Sequence, residues 1–302
     1  MTALSVLVGS VVTLGMFWVV PTGLALLDGP RPPGWDLLRR SWPLFAVPGG
    51  LALWLPRSGL STALAAVYAL ATLALALQAP ARLFLTRSLR PGEVAVLTAL
   101  VAPSVGGLAL VAERAAHPLF GFDLDILALT VPHFHFAGFA AALVAGLLCR
   151  ASDGRTARFA ALSVPAGTLL VLLGYFVDDW AELAGAVVLT AGMTAVALLT
   201  LRERRETATD RLTRGLLAVS ALVLFATMLL ALSWALGEAT GLPHLDLTWT
   251  AATHGLGNAL GFTVCALLAH RRLRSRRPTP PAPPAPAQNP PRTAHPRTEL
   301  PT

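Results

Sequence analysis

Stretches of about 20 apolar residues recur along this chain, separated by short segments that hold almost all of its charge. A run of that length, coiled as a helix, spans the roughly 30 Å hydrocarbon core of a bilayer. Within that core a segment must satisfy its own backbone N–H and C=O groups, which favours helices over open strands. The pattern therefore predicts an all-α, polytopic transmembrane helical bundle. Charged residues make up 13% of the chain, against roughly 25% in soluble domains, so most of the chain belongs in lipid. Nine spans are expected, at approximately 3–27, 42–56, 59–79, 94–112, 124–149, 159–177, 181–201, 214–236 and 248–269. The second is the weakest, because Pro48, Gly49 and Gly50 interrupt a short stretch. It is expected to be re-entrant or tightly paired with the third. The first starts without a basic leader and exceeds the roughly 7–15 apolar residues of a signal peptide, so it reads as a true span.

The loops supply an orientation. All 23 basic residues are arginine. Clusters follow the first span (Arg31, Arg39, Arg40), the third (Arg82, Arg87, Arg90) and the fifth (Arg150, Arg155, Arg158). Others follow the seventh (Arg202, Arg204, Arg205, Arg211, Arg214) and the ninth (Arg271, Arg272, Arg274, Arg276, Arg277). The intervening loops hold only Arg57 and Arg114. Basic loops stay in the cytoplasm, so the N-terminus is expected outside and the C-terminus inside a bacterial cytoplasmic membrane. Placed this way, the net charge of +7 reports topology rather than nucleic-acid binding. No phosphate-binding loop or dinucleotide fingerprint is present.

Three regions are expected. Residues 1–112 form about four N-terminal spans, 113–270 a five-helix core that carries the polar groups, and 271–302 a basic, then Pro-rich tail too poor in apolar residues to bury a core. Cys149 and Cys265 each sit near the end of a span and read as small buried hydrophobes rather than a disulfide.

Titratable groups at membrane depth are costly, and they mark candidate functional sites. His133 and His135 lie roughly 13–17 Å below the outer end of the fifth span. Being two residues apart, they point about 200° from each other on a regular helix, too far apart for both to hold one metal ion unless Pro132 distorts the turn. His254 and Asn258, at i and i+4, share a face of the ninth span beside Gly255, Gly257 and Gly261. Asp178, Asp179 and Glu182 lie at the outer junction of the sixth and seventh spans. A carboxylate there could orient an imidazole or act as an acid. Glu113, Arg114, His117, Asp123 and Asp125 read as loop groups at an entrance to the fifth span, and His244 and Asp246 as loop groups too.

The helix bearing HFHFAGF (133–139), paired with a late helix bearing THGLGNALGF (253–262), resembles the YndJ-like family of bacterial membrane proteins. The likeness lies mainly within residues 124–269. It implies a multi-pass membrane protein with a transporter-like label, and it implies no particular reaction. Val131–Pro132–His133–Phe134–His135 also looks like the helix of haem-copper oxidases that offers histidines from both faces. The first four spans contain no histidine, so the ligand set of an oxidase cannot be completed. A haem or zinc at the remaining histidines is neither required nor ruled out by the residues.

These features point first to an intramembrane acid–base enzyme, an isomerase, cyclase or hydrolase acting on a lipophilic small molecule. In it His133, His135, His254, Asn258, Asp178, Asp179 and Glu182 would form an outward-facing pocket. A proton-coupled or facilitative transporter is the alternative, and a non-catalytic scaffold or immunity protein the third. The polar residues gather in one half of the chain with no internal repeat, which favours a fixed site over alternating access.

Overall fold

The computed structural model describes residues 2–152, 154–208 and 210–276. Position 209 and most of the Pro-rich tail, from 277 onward, lie outside the described residues. Nine long helices account for most of the described residues: α1 (Ala3–Leu26), α2 (Trp35–Trp54), α3 (Gly59–Thr86), α4 (Pro91–Arg114), α5 (Leu124–Ala151), α6 (Arg155–Gly174), α7 (Asp179–Glu206), α8 (Arg211–Thr240) and α9 (Leu247–Ser275). All but α2 are long and apolar enough to cross a membrane. The protein is a multi-pass membrane protein with an all-helical fold.

Local chemistry explains the boundaries. Helix starts leave N–H groups without intrahelical partners, and short polar side chains supply acceptors. Thr2, Ser58, Asp178, Asp210 and Asp246 each accept from a backbone N–H three residues on. Gly241 ends α8 at φ +74°, a left-handed turn that suits glycine.

The weak second span is a continuous 20-residue helix. Gly49 does not break it. A Cβ there would sit 2.7 Å from the Tyr68 ring, so the glycine admits close packing of α3. Its first turns carry Asp36, Arg39 and Arg40, which lowers its hydropathy without shortening it. Trp42 Nε1 donates to the Met16 carbonyl at 2.8 Å and ties α2 to α1.

Ion pairs identify the two ends of the bundle. At one end Arg82, only 3% exposed, donates to Glu93 at 2.5 Å, and Arg150 meets the other Glu93 oxygen at 2.5 Å. Arg82 also donates to the Asp28 carbonyl at 3.0 Å, while Arg274 reaches the Asp28 carboxylate at 2.6 Å. The end of α1, the end of α3, the start of α4 and the ends of α5 and α9 meet there. At the opposite end Glu113 holds Arg57 at 2.9 Å and also Arg114, which donates to the Ala52 and Leu55 carbonyls. Glu113 and Arg114 thus belong to the last turn of α4, and Glu113 is buried rather than part of a loop. Because α2 runs from the first end to the second, the helices alternate through the bundle as nine traversals.

One continuous core joins residues from Val11 to Leu267. Its axis is α5, whose apolar window is 78% buried against 61% for the next helix, α7. No disulfide joins Cys149 and Cys265.

Candidate functional site

Three helices depart from regular α geometry at the same level. α1 is π-helical over Gly15–Val19, α5 over Phe134–Ala141 and α9 over Ala251–Gly255 and Gly257–Val264. π segments widen a helix by a residue and recur at functional sites. In α5 the cause is local. Pro132 lacks an N–H and crowds the preceding turn, and the widened stretch begins two residues later. The α5 segment packs against those of α1 and α9, and His133, His135 and His254 lie in or beside these segments.

His135 is wholly buried. Its Nδ1 lies 2.7 Å from the Val131 carbonyl and its Nε2 2.5 Å from the Tyr68 hydroxyl. A carbonyl only accepts, so Nδ1 carries the proton and Nε2 accepts from Tyr68. The ring fits between Gly15 and Gly106, where Cβ atoms would come within 3.2 and 3.3 Å of it. Both nitrogens are occupied and no space adjoins them. His135 fastens α5 to α3, away from the other candidate residues.

His254 is fixed in a similar way. Its Nδ1 donates to the Thr227 carbonyl at 2.8 Å, and the Asn258 amide donates to its Nε2 at 3.2 Å. Asn258 in turn accepts from the Thr227 hydroxyl at 2.7 Å. The i, i+4 relation seen in the sequence is therefore a hydrogen bond that sets the imidazole tautomer.

His133 differs from both. Its Nε2 is buried and has no hydrogen-bond partner among the described residues. Its side chain lines a cavity of about 220 Å³ enclosed by α1, α5, α6, α7, α8 and α9. His254, Asn258, Thr190, Glu182, Tyr175 and Trp234 share that wall. Thr190 Oγ1 is a second buried polar atom without a partner. The rest of the wall is aliphatic, Met and Phe side chains such as Leu189, Met193, Met228 and Phe262. Buried polar atoms are almost always paired; other exceptions, such as Thr86 and Thr263 Oγ1, lie away from the cavity, whereas His133 and Thr190 share its wall.

The carboxylates separate by position. Glu182 lines the cavity and interacts with the Tyr175 hydroxyl. Asp178 caps α7, accepting from Ala181 N at 2.8 Å. Asp179 is exposed and reaches the site only through its charge on Glu182. Of the seven residues expected to act together, His133, His254, Asn258 and Glu182 share the cavity, while His135, Asp178 and Asp179 do not. Sequence reasoning gave no role to Tyr68, Tyr175 and Thr190. Tyr68 had a legible signal, since a tyrosine in mid-span is a polar group in lipid like the histidines. Thr190 had none, because threonine in a helix commonly bonds its own backbone.

A haem or zinc held by two histidines does not suit this arrangement. His135 and His254 both have their ring nitrogens engaged. No group of three or more His, Cys, Asp or Glu side chains among the described residues could hold a metal ion.

The fold and the site together define a multi-pass helical membrane protein with a mostly apolar cavity among its membrane helices, into which a few polar side chains project. The chain belongs to the YndJ-like protein family, whose profile matches residues 10–262. No curated protein and no solved structure matched it.

Proposed function

We propose that the cavity is the active site of an intramembrane acid–base enzyme acting on a lipophilic small molecule. One observation carries this reading: of His133, His135 and His254, only His133 offers a ring nitrogen without a hydrogen-bond partner among the described residues, and it does so on the cavity wall. General acid–base catalysis needs a titratable group within hydrogen-bond reach of the reacting atoms. His133 takes that role, and Glu182 is the second titratable group on the wall. His254, held by Thr227 and Asn258, positions substrate without exchanging its own proton. Such equipment suits isomerisation, cyclisation or hydrolysis.

In this reading the arginine-rich Glu93 end is cytoplasmic and the cavity lies in the outer half of a bacterial plasma membrane, with the N-terminus outside; the bias of arginine toward alternate loops supports that orientation. The gathering of the polar groups in one half of the chain, with no internal repeat, favours an enzyme over a transporter.

The test is the lipid extract of a strain that lacks the gene. The enzyme reading expects an unmodified precursor to accumulate, cleared by the wild-type protein and not by His133→Gln. An unchanged compound displaced across the membrane would identify a transporter instead. Full complementation by both His133→Gln and His254→Ala would leave a scaffold.

A further inference from the structure

Glu182 poses a question that proton chemistry alone does not answer. It lines a largely apolar cavity, yet no ion pair among the described residues includes it. The cations at that end of the bundle are committed elsewhere. Arg57 and Arg114 are both tied to Glu113. His244 Nδ1 donates to the Leu245 carbonyl at 2.9 Å, and its Nε2 lies 3.1 Å from Glu238. The two carboxylates that act on Glu182 through charge, Asp179 and Glu238, add negative potential without a compensating cation on the wall. A carboxylate in apolar surroundings is costly unless it takes up a proton or a positive group pairs with it, and a cationic ligand on the wall would supply that pairing. Two aromatic side chains, Tyr175 and Trp234, flank the same wall, and aromatic faces attract organic cations.

We propose that the cavity takes a cationic amphiphile, with an amine or quaternary ammonium head at Glu182 and an apolar body along Leu189, Met193, Met228 and Phe262. This rests on the reading of the cavity as the substrate site. Glu182 is three residues into α7 and His133 nine residues into α5, roughly 5 and 14 Å from the same end of the bundle. The charged head therefore sits at the outer end, and the group that meets His133 lies roughly 9 Å deeper along the apolar body. Asp178 is spent on capping α7 and takes no part in binding.

The full-length protein in phosphatidylcholine nanodiscs, titrated calorimetrically, tests the proposal with dodecyltrimethylammonium, dodecanol and dodecanoate as probes. The cationic probe is expected to bind about tenfold or more tightly than dodecanol, as befits a charge-assisted contact, and dodecanoate most weakly. Glu182→Gln should remove that advantage and leave dodecanol binding within about twofold, while Glu238→Gln should keep it. A melting curve of each variant in the same nanodiscs shows whether the fold persists, and Glu182→Asp, which keeps the charge, should retain the cation preference. Equal binding of the three probes, no binding of any, or a preference that survives Glu182→Gln would each overturn the proposal. The absence of any accumulated precursor in the deletion strain, alongside a Glu182-dependent cation preference, would defeat the enzyme reading and leave this one standing. The reverse pair of results would do the opposite.

Discussion

His133 and His135 stand two residues apart on α5, and their surroundings have opposite chemistry. His135 is enclosed by Gly15, Gly106 and Tyr68, with both nitrogens engaged. His133 borders a cavity with its Nε2 unpaired. The residue type and the depth in the membrane are the same. What separates them is the helix each one faces. α3 presents a hydroxyl at the right height to His135, whereas the wall opposite His133 presents mostly apolar atoms. A buried polar group that has found its partner stabilises the fold, and one left without a partner is available for a ligand.

The sharpest way to break this comparison is His133→Gln. Loss of the acid–base group should lower turnover on the order of 10²-fold or more, with the melting temperature nearly unchanged. A large melting shift with normal turnover would place His133 among the structural residues. His135→Ala should do the converse. Losing a buried ring and two hydrogen bonds should cost about 2–4 kcal/mol in denaturant unfolding, while the folded fraction keeps its turnover.

Smaller effects sharpen the same contrast. Gly49→Ala would place a Cβ 2.7 Å from the Tyr68 ring and displace the hydroxyl that His135 needs. Overpacking of this kind costs about 1–3 kcal/mol. Tyr68→Phe leaves the His135 acceptor unpaired and should cost about 1–2 kcal/mol, read in the same unfolding assay. His254→Ala removes a fixed neighbour rather than the reacting group, so turnover should fall less than in His133→Gln, by about tenfold. The smallest effect concerns the far end of the bundle. Bonds from the Thr213 hydroxyl and backbone, with Arg272 and Arg276 nearby, hold the Asp210 carboxyl below the usual carboxylate range. A depressed folded-state value stabilises above the ordinary carboxylate range and is lost as the medium acidifies through the folded value. Asp210→Asn should therefore flatten the acid limb of the stability curve and leave neutral-pH turnover intact.

Much of the architecture was legible because the bilayer imposes one rule per segment. Apolar length predicted the helices, and the arginine-rich loops after odd-numbered spans correspond to helix ends that meet around Glu93 and Asp28. Span lengths were less legible. α7 and α8 run beyond their expected limits because polar caps at Asp178 and Asp210 and arginine-bearing turns extend helices past the apolar window. The site was legible in part. The opposed directions of His133 and His135 followed from helical periodicity, and so did the shared face of His254 and Asn258. Which of the histidines would find a partner did not, because Tyr68 and His135 are 67 residues apart and no local pattern links them.

The sequence by itself determined that this chain is a multi-pass helical membrane protein and that its titratable groups gather on late helices. Those properties depend on composition and on periodicities of a few residues, which act within one helix at a time. Only the tertiary structure decided that His135 is a fastener, His254 a fixed neighbour and His133 the group left open, and that Glu182 alone of the outer carboxylates reaches the cavity. Hydrogen-bond saturation and cavity shape depend on which helices meet and at what height, and packing between distant segments sets both.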